Sequence, residues 1–312
     1  MDGGGSLPYA SALYCRNSGI EAGIIVANAP PGRLYVVATP IGNLGDLSPR
    51  ACEVLKACAL VAAEDTRHSG ALLRHFQISV PLLSLHDHNE RRRTPELLAR
   101  LQAGDDVALV SDAGTPAISD PGFEVVRVAA AAGIEVRAVP GPCAAIAALS
   151  IAGLPTANFA FEGFLPSRPA ARRRRLAALA ADPRTLVFYE SPHRIAEMLE
   201  DCAAAFGGAR AAVVARELTK LHEQVYRDSL AALRARAAEA AELSRGEIVV
   251  VIEGAAPPAD AADSGELDRV LGALLAELPL AQAARLAARI AGARDNDAYR
   301  RALALRDASV PD

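Results

Sequence analysis

At 312 residues, 51% of them hydrophobic and 22% charged, the chain is long enough to bury two sizeable cores and too apolar to be disordered. A formal net charge of -4 excludes a protein that holds nucleic acid through overall positive charge, so any RNA contact has to be local. Cys15, Cys52, Cys58, Cys143 and Cys202 are odd in number and lack paired CxxC spacing, which fits reduced thiols of a cytoplasmic protein and argues against a metal site.

In chain order, residues 1–32 carry Gly and Pro clusters with no basic start leading into an apolar core. They are expected to be a flexible extension and not a signal peptide. From Arg33 the pattern becomes short apolar runs alternating with segments of helical period, the grammar of βα units around a parallel sheet. Strands are predicted at 34–38, 60–63, 82–85, 107–110 and 135–139, and helices at 49–57, 69–76, 94–102, 122–132 and 142–151. Ser48 is placed to cap the first helix, with Pro49 where proline is tolerated. The uncharged span 138–161 is long enough to cross a bilayer, but Pro140, Gly141, Pro142, Gly153, Pro155 and Asn158 interrupt it. It reads as a strand end, a ligand loop and a buried helix, with no membrane association. These elements make 33–153 a first α/β domain.

After Gly153-Leu154-Pro155 the pattern favours strands, predicted at 159–163, 185–189, 211–217, 224–228 and 247–253, with helices at 169–181, 192–206 and 229–242. Residues 154–254 are thus a second α/β domain, with a mixed sheet. The segment 255–265, AAPPADAADSG, has a tether's composition. The remainder, 266–312, is a small helical module with helices at 266–278, 280–291 and 295–305. Arg285, Arg289, Arg294, Arg300 and Arg301 cluster there, as a nucleic-acid contact or as a solvated cationic face.

Four strand exits of the first domain share one chemistry: ATPIGNLGDLSPR (38–50), AAEDTRHSG (62–70), VSDAGTPAISDPG (110–122) and AVPGPCAA (138–145). Glycine permits close backbone approach and proline stiffens each loop in advance. In an open parallel sheet ligands sit beyond the carboxyl ends of the strands, so the four exits point to one shared site. No GxGxxG follows the first strand, which counts against a nicotinamide-binding fold.

These segments, with LLSLHDHNE, FEGFLP, YESPHR and ARELTKLHEQVYR, in order over about 33–254, resemble the class III, tetrapyrrole-methylase-like, S-adenosylmethionine-dependent methyltransferases. Within them the match is to the branch that methylates a cytidine ribose 2'-hydroxyl at the decoding site of 16S rRNA in the small ribosomal subunit. The resemblance implies two α/β domains of the tetrapyrrole methylase type with a helical tail, a homodimer, and S-adenosylmethionine in the cleft between the domains. It places the cofactor against Pro40, then Asp112, Ala113, Gly114, Pro116 and Ile118, then Pro140, Gly141 and Cys143. A tetrapyrrole or other small substrate is the second reading, and a non-catalytic RNA-binding or assembly factor the third.

Methyl transfer to a ribose hydroxyl asks an enzyme chiefly to hold two reactants in line and to manage the hydroxyl proton. Glu64 and Asp65 are candidate catalytic residues because a charged cluster beside a buried strand is costly unless it serves a ligand. Lys220, one of two lysines in the chain, is a third: it can hold a phosphate or orient the hydroxyl, or else pair with Glu217 or Glu223. Arg67, His68, His193, Arg194 and Arg216 are candidates for RNA contact. The run from Arg168 to Arg175 either grips the RNA backbone or forms a solvated helix face. His86, His88, Asn89 and Glu90 fit loop capping better than a metal site, and Phe161 and Phe164 either floor the cofactor cleft or belong to the core.

Overall fold

The computed structural model describes residues 30–239, 243, 245–256 and 264–308. The flexibility expected of 1–29, the middle of the expected tether and the end of the helix expected to reach 242 lie outside the described residues.

Five parallel strands, β1 (Arg33–Val37), β2 (Leu60–Ala63), β3 (Leu82–Ser84), β4 (Val107–Val110) and β5 (Glu135–Val139), form one sheet in the order β3-β2-β4-β1-β5. Every residue of β2 and β4 is buried, as expected of central parallel strands covered on both faces. Helices α1 (Pro49–Ala57) and α2 (Thr66–His75) cover one face, over a core that includes Val37, Leu55, Val61 and Leu73. Helices α3 (Glu90–Gln102) and α4 (Phe123–Ala131) cover the other, over Leu34, Leu97, Leu109 and Val125.

The second sheet, β6 (Phe159–Phe164), β7 (Thr185–Glu190), β8 (Ala211–Arg216), β9 (Gln224–Ser229) and β10 (Ile248–Ile252), runs in the order β6-β7-β10-β8-β9. Only the β6–β7 pair is parallel. Side chains alternate across it: Phe188, Val214 and Val250 face the core shared with α6 (Pro169–Leu179), α7 (Ile195–Phe206) and α8 (Leu230–Glu239). Val187, Val213 and Val249 face the opposite way, onto α5 (Ala144–Ala152). That helix, AAIAALSIA, has no charged residue: Ala145, Ala148, Leu149 and Ala152 pack in the cluster on the second sheet, and Ile146 and Ile151 are left exposed. Helix α5 follows the first sheet in sequence and packs on the second, which places the end of β5 at the junction.

Helices α9 (Ser264–Leu275), α10 (Leu280–Ala291) and α11 (Asp295–Ala308) pack on one another around Leu271, Ala287, Ala298 and Ala302.

Every predicted strand is present within one residue of its expected bounds, whereas five helix starts move by two or more residues, α9 among them, which begins at Ser264 inside the expected tether and not at 266. Helix α2 begins at Thr66, not 69, because the Asp65 side chain caps it, accepting from the Arg67 amide at 2.8 Å. Helix α3 begins at Glu90, not 94: Pro95 lies inside the helix and does not mark its first turn. Helix α5 begins at Ala144, after Cys143 in the capping position, and α7 at Ile195, after a turn through 192–194.

Candidate functional site

The exits of the first sheet are tied together by hydrogen bonds. Thr39 after β1 and Gly114 after β4 exchange backbone bonds of 2.9 and 3.1 Å. The Thr115 hydroxyl donates to the Pro142 carbonyl after β5 at 3.0 Å. The Asp65 amide after β2 donates to Asp112 Oδ1 at 3.0 Å. Gly141 is required by space, since a Cβ there would stand 2.9 Å from the Ala38 Cβ. The 111–122 loop holds Ala117 and Ser119 at φ of +66° and +65°, a region non-glycine residues seldom adopt. Such strain persists only where surrounding contacts over-determine it. Glu90 supplies part of that support, accepting from the Gly122 and Glu124 amides at 3.0 and 2.9 Å and so capping α4. Asn89 caps its own loop through the His86 amide, so the HDHNE run is architectural.

Two neighbouring cavities open at these exits. The first, about 340 Å³, lies between the two sheets and is lined from the first by Ile41, Gly114, Asp120 and Cys143, and from the second by Tyr189, Glu190 and Glu247. The second, about 420 Å³, is lined by Pro40, Leu44, His68, His75, Asp112 and Lys220. Ile41, Ala113 and Glu247 belong to both.

Of the residues expected at the cofactor, Ala113, Gly114, Ile118 and Cys143 line the first cavity, while Pro40, Asp112 and again Ala113 line the second. Pro116, Pro140 and Gly141 line neither and shape the loops. Phe164 lines the first cavity, whereas Phe161 packs in the core against Tyr189.

The three catalytic candidates separate. Asp65 is committed as a cap and to Arg67 (2.7 Å), a pairing that holds its carboxyl well below the usual range. Glu64 moves the other way, raised by burial and by the neighbouring Asp112 charge. Lys220 crosses from the second domain to the first, packing where a Cβ on Gly42 would come within 2.4 Å of its chain. Its ammonium sits 2.9 Å from Glu217 and 3.2 Å from Glu247; burial opposes its charge, but the two carboxylates outweigh burial and raise its pKa. It is a permanent cation at the rim of the second cavity.

The basic candidates for RNA contact also divide. Arg67 has a side chain 91% exposed, and His68 and His193 are exposed. Arg216 is buried, donating to the carbonyls of Arg245 and His222 at 2.7 and 3.2 Å; Arg194 donates to the Leu165 carbonyl at 2.8 Å. Both guanidiniums brace loops. Within the run from Arg168 to Arg175, Arg172 is buried and paired with Asp201 (2.7 Å) and Glu197 (3.0 Å), which leaves Arg168, Arg173 and Arg174 as its exposed members without a buried role.

Asp120, which the sequence offers as one of the oxygens its loop can present to a polar ligand, and Glu190, within a strand-end motif, were given no site role. Burial pushes Glu190 up, and burial together with nearby Glu64 pushes Asp120 up to about 6. Their signals were faint: Glu190 stands in the YESPHR run and Asp120 in the long Gly/Pro loop.

A family model described as Tetrapyrrole (Corrin/Porphyrin) Methylases matches residues 33–234, and one described as RsmI C-terminal HTH domain matches 261–306. The chain is similar to the ribosomal RNA small subunit methyltransferase I of Pseudomonas aeruginosa, 56% identical over 87% of this chain and 97% of that one. The protein of the same name from Escherichia coli O157:H7 is 51% identical over 89% and 96%. Among solved structures, uroporphyrin-III-C-methyltransferase from Thermus thermophilus shares the fold at 23% identity and a TM-score of 0.52, covering 71% of this chain and 94% of its own. The methyltransferase CobJ does so at 20% identity and a TM-score of 0.54, covering 72% and 95%.

Proposed function

From the premise that this chain belongs to the tetrapyrrole (corrin/porphyrin) methylase family, we propose that it is an S-adenosylmethionine-dependent methyltransferase of small-subunit ribosomal RNA, acting on a cytidine ribose 2'-hydroxyl. The observation that carries the reading is the pair of adjoining cavities, one anionic and set between the sheets, the other rimmed by Lys220 and two histidines. The first fits the cofactor. Its carboxylates suit a ligand bearing a sulfonium and an ammonium, and Gly114, Gly246, Ala113 and Ala144 leave room for it. The bound cofactor supplies an electrophilic methyl group.

The protein's residues do the rest. Lys220, kept protonated by Glu217 and Glu247, holds a backbone phosphate or favours the developing alkoxide. Asp112, fixed through Oδ1 by the Asp65 amide, lines the second cavity and takes the hydroxyl proton. Glu64 lies beside it, its pKa raised by burial and by the Asp112 charge. Arg67, His68 and His193 contact RNA at the rim, Arg194 braces the turn that carries His193, and Arg216 braces the loop that carries Lys220. The enzyme acts in the cytoplasm, where small subunits are assembled, and functions as a homodimer through exposed apolar residues such as Phe123 and Ile146.

The test is methylation of small subunits taken from a strain lacking the activity, using labelled cofactor and mapping at nucleotide resolution. One cytidine ribose should acquire the label. A labelled base would overturn the reading, and a labelled porphyrinogen would restore the small-substrate alternative.

A further inference from the structure

The second cavity changes character from one end to the other. Ile41, Ala113 and Glu247, which it shares with the first, mark the end that adjoins that cavity. Asp112 and Lys220 stand at this end, Asp112 next to Ala113 in the chain and the Lys220 ammonium 3.2 Å from Glu247. The other wall comes from α2. His68, Ala71, Leu72 and His75 line it, at the spacing that puts side chains on one face of a helix. This is not the face that α2 packs on the sheet, which buries Ser69, Gly70 and Leu73. Leu44, 43% exposed, joins the α2 side chains from the loop after β1.

The two ends suit different parts of a nucleotide. Carboxylate and ammonium groups match sugar hydroxyls and phosphate, whereas the α2 end offers Leu44, Ala71, Leu72 and two imidazoles, with no carboxylate or guanidinium among the described residues lining it. Apolar side chains beside flat rings hold an unstacked base, because every base has a π-face. The His75 ring is itself steadied by Phe76, edge to face with 4.9 Å between centroids. The recess, about 420 Å³, is of a size that encloses a whole small molecule. A nucleotide stacked between its neighbours offers a recess only its edge. Filling the α2 end therefore requires the base to leave the stack.

Resting on the reading of this cavity as the acceptor's, we propose that the target nucleotide enters it unstacked, its base against the face of α2 that carries His68 and His75 and its ribose at Asp112 and Lys220. The 2'-hydroxyl then lies at the wall shared with the first cavity. The base takes no part in the transfer, but its contacts with α2 offset the cost of unstacking and hold the ribose in place.

His75 is exposed, so its replacement spares the core. In steady-state methylation of small subunits from a strain lacking the activity, His75→Ala should raise KM about tenfold, with kcat little changed. His75→Phe, which restores a flat ring, should stay within about twofold of the wild type, and calorimetry should show cofactor affinity preserved in both variants. Unstacking itself is read from subunits rebuilt with pyrrolocytidine, whose emission is quenched by stacking, at the nucleotide that acquires the label. Wild-type protein with S-adenosylhomocysteine should raise that emission several-fold, and His75→Ala at the same concentration should raise it less. Methylation with unchanged emission, or a wild-type KM in His75→Ala, would overturn the proposal and leave the methyltransferase reading standing. Weakened cofactor binding in His75→Ala would give this face to the cofactor and overturn the proposal as well. If no ribose of the subunit is labelled, the acceptor reading itself fails and the nucleotide seat falls with it.

Discussion

The two cavities share a wall and differ in charge. Among the described residues the first takes Asp120 and Glu247 and no cation; the second takes Lys220, His68 and His75 together with Asp112 and the shared Glu247. Glu247 belongs to both and is the point at which they meet, because Lys220 pairs with it from the second side. On the proposed function, donor and acceptor would take separate seats on opposite sides of this one ion pair.

The sharpest way to break this division is at Asp112, which lines only the second cavity of the two. Asp112→Asn should lower turnover on small subunits by roughly a hundredfold, the scale of a lost proton acceptor, while cofactor affinity by calorimetry changes little. An equal loss in both would move Asp112 to the cofactor side. Lys220→Ala should follow, lowering turnover roughly tenfold to a hundredfold with cofactor binding again nearly intact. Removing the cation also leaves Glu217 and Glu247 unpaired, so thermal unfolding should be measured alongside.

A smaller effect belongs to the helical tail. Arg301 pairs with Asp268 at 2.6 Å, whereas Arg285 and Arg289 lie four residues apart on the exposed side of α10. Replacing both with alanine should weaken subunit binding a few-fold and flatten its salt dependence by about one to two units of slope, leaving the catalytic step unchanged. A salt slope equal to that of the wild type would make these arginines a solvated face.

The smallest effect sharpens the first cavity. Asp120 has a folded pKa of about 6, raised by burial and by Glu64. A raised carboxyl contributes stability that is complete below the unfolded value and is lost as pH rises through the folded one. Asp120→Asn should therefore stabilise the cofactor-free protein at about pH 8 by roughly 1 kcal/mol after solvent screening, read as a higher melting temperature, and match the wild type near about pH 4. No pH dependence of the difference would refute the charge crowding.

The strands and the ligand loops were legible because each rests on local chemistry: apolar runs such as LYVV and VALV, then glycine and proline where the chain turns. Helix starts were less so, since Pro95 resembled a first-turn proline and Asp65 a catalytic acid when its side chain is a cap. The second sheet's share of the site was hidden for a different reason. Tyr189 and Glu247 reach the first cavity together because β7 and β10 pair antiparallel with Tyr189 opposite Val249, a register fixed by packing across the whole sheet. Arg172 and Arg216 look like RNA ligands in a sequence; only the carboxylates and carbonyls folded around them reveal structural roles.

A crystal structure of the protein with S-adenosylmethionine bound tests the division of the site most directly. The account predicts the sulfonium in the first cavity near Asp120, with its methyl group directed toward the cavity rimmed by Lys220 and His68. A sulfonium seated beside Lys220, or a cofactor bound away from the junction of the two sheets, would contradict it.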